Sequence, residues 1–164
     1  QEGMRLPVYG DGTHVRDWLY VTDHCEALWT ILQNAEPGNT YNIGADSEKT
    51  NLEVVETICD TLDELLPGTA RAPSRSLIEF VTDRPGHDHR YAMDATRLKS
   101  ELGWHPRTSF AEGIRQTVTW YLENQAWVAG AMTKGYHRER LGLPTAPSST
   151  DGPGDLPPTT PEPE

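Results

Sequence analysis

Apolar positions recur along the chain in two rhythms, one of period two and one near period 3.6. Leu6-Pro7-Val8-Tyr9 is a short extended run closed by the Gly10-Asp11-Gly12 turn. Val15 to Val21 reads as a second strand, rich in aromatic and branched residues, with Arg16 and Asp17 at its entrance. Asp23-His24-Cys25-Glu26 then has capping-box spacing, and Ala27, Leu28, Ile31 and Leu32 form one helical face that Pro37-Gly38 ends. Thr40 to Gly44 is expected as a short strand. Thr50-Asn51-Leu52-Glu53 is a second capping box, opening a helix lined by Val54, Val55, Ile58, Leu62 and Leu65 and stopped by Pro67-Gly68. With Thr50 as the cap, Asn51 falls in the first turn with its amide free; Asn51 as the cap fits the local pattern equally well.

Residues 69–76 form a polar connection into a strand over residues 77–83, where Ile78 and Phe80 share one face and Leu77 and Val81 the other. Arg84 precedes Pro85, which biases it toward extended backbone, and Gly86 adds freedom, so Arg84, His87 and Arg90 leave the strand end in a short cationic loop. Asp94 is expected to cap a helix carrying Leu98 and Leu102, stopped by Gly103 and Pro106. Ser109-Phe110-Ala111-Glu112 is a third capping box. It starts a helix with Ala111, Ile114, Val118, Tyr121 and Leu122 on its buried stripe, flanked by Trp120 and Trp127 as anchors of a core or an interface. Strands alternating with amphipathic helices make an α/β or α+β piece, and a cationic loop at a strand end suits an anion.

Composition narrows the partners. A formal charge of −11 argues against nucleic acid, which needs a basic footprint, and leaves room for a small anionic ligand at the local Arg and His cluster. No apolar run approaches the roughly 20 residues of a membrane span and no signal peptide opens the chain, so the cytoplasm is the expected compartment. Cys25 and Cys59 stand apart with no CxxC and are expected as buried reduced thiols. His87-Asp88-His89 and His24-Cys25 each offer two ligands, but nothing else has zinc spacing, and no metal site is expected. From residue 143 the chain is Pro, Ser, Thr, Gly and acid, which reads as a disordered tail over 143–164 behind a folded region spanning 1–142.

Arg16-Asp17-Trp18-Leu19-Tyr20-Val21-Thr22-Asp23-His24 and Asp83-Arg84-Pro85-Gly86-His87-Asp88-His89-Arg90-Tyr91-Ala92-Met93-Asp94 closely resemble the carboxy-terminal half of the dTDP-glucose 4,6-dehydratases, which are extended short-chain dehydrogenase/reductases. Leu6 to Gly10, Tyr41 to Gly44, Lys49 to Leu52 and Glu101 to Trp104 fall in the family's order, so the likeness covers about residues 5 to 128. An RDW segment occurs across sugar-nucleotide epimerases and dehydratases, whereas the RPGHD-x-RYA segment is much narrower. The resemblance implies a partial fold of that class: the substrate-binding domain with the last elements of the NAD(P)-binding Rossmann domain. It also implies roles. Pro7, Val8 and Tyr9 lie along the nucleotide; Arg16 and Arg84 hold the diphosphate; Asn51 and His87 add polar contacts; Pro85, Gly86 and Tyr91 complete the substrate-binding set. Asp83 either joins that set or orients an Arg. His87 acts as a neutral donor or a cation. From local pattern alone, Arg16 beside Asp17 reads equally as a paired surface charge or as a guanidinium aimed at phosphate.

Family chemistry oxidises the hexose at C4 with bound NAD, eliminates water across C5 and C6, and returns the hydride to C6. That requires a Gly-rich strand-to-helix turn for the cofactor, a Tyr-x-x-x-Lys pair and an acidic dyad. Four residues after Tyr9, Tyr20, Tyr41, Tyr91, Tyr121 and Tyr136 stand Thr13, His24, Ala45, Ala95, Gln125 and Arg140, and Gly10-Asp11-Gly12 lacks a third glycine and a following helix. The expectation is a truncated lyase: a substrate-binding half with no catalytic and no cofactor-binding residue, inactive and marginally stable alone, taking dTDP-glucose or dTDP. Its partner would be a missing NAD-binding half, and the intact enzyme would be a homodimer. The competing readings are a non-catalytic sugar-nucleotide-binding or partner-docking module, and the same half of a UDP-sugar epimerase or decarboxylase.

Overall fold

The computed structural model describes residues 3–68 and 73–132, so the 143–164 tail lies outside the described residues. Strands β1 (Leu6–Tyr9) and β4 (Ile78–Val81) pair in parallel, Leu6 beside Ile78 and Tyr9 beside Val81. Between them in the chain come β2 (Val15–Asp17), α1 (Val21–Asn34), β3 (Glu48–Thr50) and α2 (Asn51–Leu65), with a short 3-10 turn, Ser74–Leu77, leading into β4. Strands β2 and β3 form a second, antiparallel pair, with Arg16 opposite Lys49. Helices α3 (Thr96–Leu102), α4 (Phe110–Glu123) and α5 (Gln125–Met132) follow.

Local chemistry explains most boundaries. Thr50 caps α2 through a reciprocal box with Glu53, so Asn51 is the first helical residue and its side-chain amide makes no hydrogen bond among the described residues. Ser109 accepts from the Glu112 amide at the start of α4, and Gly103 ends α3 at φ 68°, a left-handed conformation suited to glycine. Three boundaries differ from the sequence pattern. Asp23 does not cap α1, which begins earlier at Val21 behind Tyr20; its buried carboxylate accepts the Arg107 and Thr108 amides instead, tying α1 to the segment before α4. The second strand therefore stops at Asp17. Residues 40–44 form no strand, because among the described residues no strand pairs with them; Tyr41 and Ile43 pack on the core, and the strand forms later, at Glu48–Thr50. Asp94 accepts the Thr96 amide, one residue outside the assigned cap Ala95.

The core has Ala27, Leu98 and Trp104 at its centre, with Leu19, Ile31, Tyr41, Ile43 and Leu102 packed around it. Val8, Val54, Cys59 and Val118 are buried where α2 and α4 pack together beside β1. Helix α1 is apolar on two sides. Ala27 and Ile31 face inward, whereas Leu28 is 52% exposed, Trp29 62% and Leu32 75%, so the single buried face expected from spacing splits in two. Cys25, expected to be buried, is exposed on the same helix, and both thiols are free. Trp120, Tyr121 and Trp127 meet edge to edge at the surface rather than in the core, and Ala111 is exposed too.

Leu98 is fully buried and Leu32 largely exposed. Leu98→Ala is expected to lower stability by about 2–5 kcal/mol and Leu32→Ala by less than about 0.5 kcal/mol, read as the difference in urea unfolding midpoints.

Candidate functional site

The predicted residues gather where β1 and β4 end side by side. Parallel pairing delivers Tyr9 and Val81 to the same edge, and the Gly10 amide donates to the Val81 carbonyl at 2.9 Å, so the loops after both strands start together. Gly10 turns at φ 61° and Gly12 at φ 77°; a Cβ on Gly12 would sit 2.9 Å from Leu52 Cβ and 3.0 Å from Val8 Cγ1. That close approach lets the Leu52 amide donate to the Gly12 carbonyl and the Asn51 amide to the His14 carbonyl, so two of the orphan donors of α2 are satisfied by the loop after β1. The start of α2 is thereby locked beside the two strand ends.

Asp83 organises the loop after β4. Its Oδ1 accepts the Arg84 amide at 2.8 Å and lies 2.8 Å from His87 Nδ1, and its Oδ2 lies 3.2 Å from His14 Nε2. The His87 bond, with further help from the Arg84 amide and the two imidazoles, holds the Asp83 carboxyl below the usual carboxylate range. An ionised Asp83 can only accept, so His87 presents its Nδ1–H to it, while His14 Nε2 makes an ion-pair contact. Asp83 thus positions Arg84 through its backbone rather than its guanidinium. Pro85 and Gly86 are exposed at the turn, with Gly86 at φ 67°.

The two arginines approach the same place. Arg16 does not pair with Asp17, whose carboxylate accepts the Ala45 and Ser47 amides. Instead it donates to the carbonyls of Val15, Asp88 and His89 and lies over the Tyr91 ring, 4.8 Å from its centroid. The Tyr91 phenol is raised above its ordinary value chiefly by its hydrogen bond to Asp88, and the charges of Arg16 and Arg84 oppose that rise. Arg84 is exposed, and its guanidinium enters no hydrogen bond or ion pair among the described residues. Arg90, read as part of the cationic cluster, is neutralised by a bidentate pair with Glu48 at 2.6 Å per contact. Tyr9 lies edge-on to His87, Pro7 is exposed, and the Val8 side chain is buried, so only its backbone is left to face a ligand.

Ligand-capable atoms of His14, Asp83 and His87 lie within 4.8 Å of one another. Their geometry is that of hydrogen bonding. The imidazoles stack 3.8 Å apart and 12° from parallel, each addressing a different carboxylate oxygen, whereas chelation needs nitrogen lone pairs that converge. His14 escaped the sequence reading; its one signal was a position two residues before Arg16 on an extended segment, which puts both on one face.

A family model described as GDP-mannose 4,6 dehydratase matches residues 1–117. The chain belongs to that family. Within the GDP-mannose 4,6-dehydratase family it is 56% identical over 140 residues to a dTDP-glucose 4,6-dehydratase of Xanthomonas campestris pv. campestris, a match covering 85% of this chain and 40% of that protein. The chain thus spans about 40% of the length of the curated relatives it matches. Among solved structures, dTDP-glucose 4,6-dehydratase from Bacillus anthracis str. Ames in complex with NAD is 47% identical, with a TM-score of 0.66, covering 77% of this chain and 37% of that one. DesIV, a dTDP-glucose 4,6-dehydratase from Streptomyces venezuelae with NAD and TYD bound, is 40% identical with a TM-score of 0.67, covering 77% and 36%. The fold is accordingly part of the mixed α/β short-chain dehydrogenase/reductase fold of those enzymes.

The Gly10–Gly12 turn does not suit a dinucleotide. The glycine turn after β1 runs into β2 rather than a helix, and its second glycine is filled by Leu52 and Val8, leaving no cradle for a diphosphate against a helix N-terminus. No helix among the described residues is long and apolar enough to cross a membrane.

The depressed Asp83 carboxyl sets a pH dependence. A carboxylate held low in the folded state contributes stability that is present above its unfolded value, about 3.9, and is lost as pH falls through the lower folded value. Thermal melts across pH 2 to 6 are expected to show a loss below about pH 4 that is smaller in Asp83→Asn.

Proposed function

We propose that this chain carries the sugar-nucleotide side of a dTDP-glucose 4,6-dehydratase, binding dTDP-glucose or dTDP through residues 1–142 while supplying no catalytic residue. What carries the reading is that Arg16, distant in sequence, is bonded to the Asp88 and His89 carbonyls and lies over Tyr91 on the same loop after β4 that presents the exposed Arg84. A diphosphate bears about two negative charges, and guanidinium groups bind its oxygens with charge-assisted bonds roughly twice as strong as neutral ones. Arg84 is the cation with its donors to spare; Arg16 keeps part of its fork beyond the loop carbonyls it holds. His87, tied to Asp83 through Nδ1, leaves Nε2 for the ligand, and Asn51 has its side-chain amide unengaged at the start of α2. Pro7, Val8 and Tyr9 line the nucleotide with backbone and ring, and Pro85, Gly86 and Tyr91 complete the wall.

The reaction itself would be completed by an NAD-binding half like those of the dehydratases in complex with NAD, in a cytoplasmic homodimer. The twice-apolar α1 supports such a partner, since a contiguous exposed apolar face is the chemistry of a surface to be covered. On this reading the purified chain forms no 4-keto sugar from dTDP-glucose and NAD, and turnover would refute it. In calorimetric titrations, Arg84→Ala and Arg16→Ala are each expected to weaken dTDP binding by about ten-fold or more, equal to about 1.4 kcal/mol or more. Unchanged affinity in both variants would remove the binding assignment, and stronger thermal protection by UDP than by dTDP would favour a UDP-sugar epimerase or decarboxylase half.

A further inference from the structure

We propose that His14 is a positioning residue for the nucleotide diphosphate, holding Asp83 and His87 in the arrangement from which Arg84 and His87 meet the ligand; this rests on the reading of the site given above. His14 is 7% exposed and touches three separated segments that the reading assigns to the nucleotide. Its Nε2 faces Asp83 Oδ2 at 3.2 Å, its ring stacks on His87 at 3.8 Å, and its carbonyl accepts the Asn51 amide at 2.9 Å. Val15, the next residue, donates its amide to the His89 carbonyl at 2.8 Å and accepts from the Tyr91 amide at 3.0 Å, so the chain around His14 is stitched along the whole loop after β4.

The contact with Asp83 is the one that acts at a distance. Oδ1 of Asp83 is shared between the Arg84 amide and His87 Nδ1, while Oδ2 lies 3.2 Å from His14 Nε2, an ion-pair contact. Without that contact the carboxylate is freer to turn about its Cβ–Cγ bond. A turn loosens the Arg84 backbone and the His87 ring together, because both hang on the other oxygen. The stack adds orientation, since a flat ring 12° from parallel limits how far His87 can tilt. Nδ1 of His14 is buried without a hydrogen-bond partner, so the ring is held by its stack on His87 and by the contact of Nε2 with Asp83.

Calorimetric titration of the full 164-residue chain with dTDP tests this in five proteins: wild type, His14→Met, His14→Gln, Asp83→Asn, and the double variant His14→Met with Asp83→Asn. Methionine keeps buried volume without a donor; glutamine places an amide N–H near the position of Nε2. His14→Met is expected to weaken dTDP binding about ten-fold through the lost contact with the Asp83 carboxylate, and His14→Gln to stay within about three-fold of wild type. The double variant is expected to bind no more weakly than Asp83→Asn alone, because His14 acts through that carboxylate. Wild-type affinity in His14→Met, equal losses in the Met and Gln variants, or fully additive losses in the double variant would each overturn the positioning role. A wild-type chain that binds no dTDP would instead overturn the reading of the site, and with it any part for His14 in binding.

Discussion

Where a parallel pair of strands ends, two loops must leave the same edge, and neither has a further ladder of hydrogen bonds to define it. The carboxylate of Asp83 supplies that definition. One oxygen collects the Arg84 amide and His87, and the other faces His14 from the loop after β1. Each of these contacts is charge-assisted, and together they join residues about seventy positions apart in sequence. If Asp83 were neutral, its acceptor strength toward the Arg84 amide and His87 would fall, and the loops would be left with the backbone bonds of Val15 to His89 and Tyr91 as their link. The fold around β1 and β4 brings the segments near; the carboxylate decides how they face.

Charge is distributed to match. The chain is acidic overall, and among the described residues most Lys and Arg side chains are consumed locally: Lys49 by Glu53, Arg75 by Glu56 and Asp60, Arg90 by Glu48, Arg97 by Glu101, Lys99 by Asp46, Arg107 by Glu26, Arg115 by Glu64. Such exposed pairs add little stability, but they remove positive charge from competition for an anion. What survives unpaired near Tyr91 is Arg84, with Arg16 anchored on carbonyls that leave its charge intact. Among the described residues, local pairing leaves the exposed guanidinium of Arg84 on the loop after β4 open to an anion. Selectivity of place follows from the pairing pattern as much as from the two arginines themselves.

Much of this was legible in the residues. Thr50 and Glu53 announce the start of α2 because a capping box is a local transaction between four residues, and Gly103 announces the end of α3 for the same reason. The loop sequence from Asp83 to Tyr91 raised the expectation of an anion site because guanidinium and imidazole cluster there against an acidic background, and the structure leaves Arg84 of that cluster exposed while pairing Arg90. What stayed hidden was decided by partners far away in the chain. Asp23 has the spacing of a cap but gives its oxygens to amides 84 and 85 residues later. Arg90 looks like Arg84 in sequence and differs only because Glu48, on a strand that the apolar pattern did not reveal, lies across from it. His14 is a lone histidine in sequence, and its meaning appears only when β1 and β4 align. Local signals fix where elements begin; tertiary neighbours decide which charges remain free.

Helix α1 separates two tasks in this architecture. Its inner side, with Ala27 and Ile31, completes the core that also holds α3, while Leu28, Trp29 and Leu32 turn outward. None of those outward residues belongs to the cluster around Asp83, whose members come from the ends of β1 and β4, the entrance of β2 and the first turn of α2. Changes that cover or uncover the outer face of α1 therefore act on stability and assembly through buried apolar area. Changes at Asp83, His14 or Arg84 act on the geometry and charge of the anion site. The two surfaces differ in chemistry, one apolar and one cationic, and share no residue, so a change confined to one leaves the contacts of the other in place.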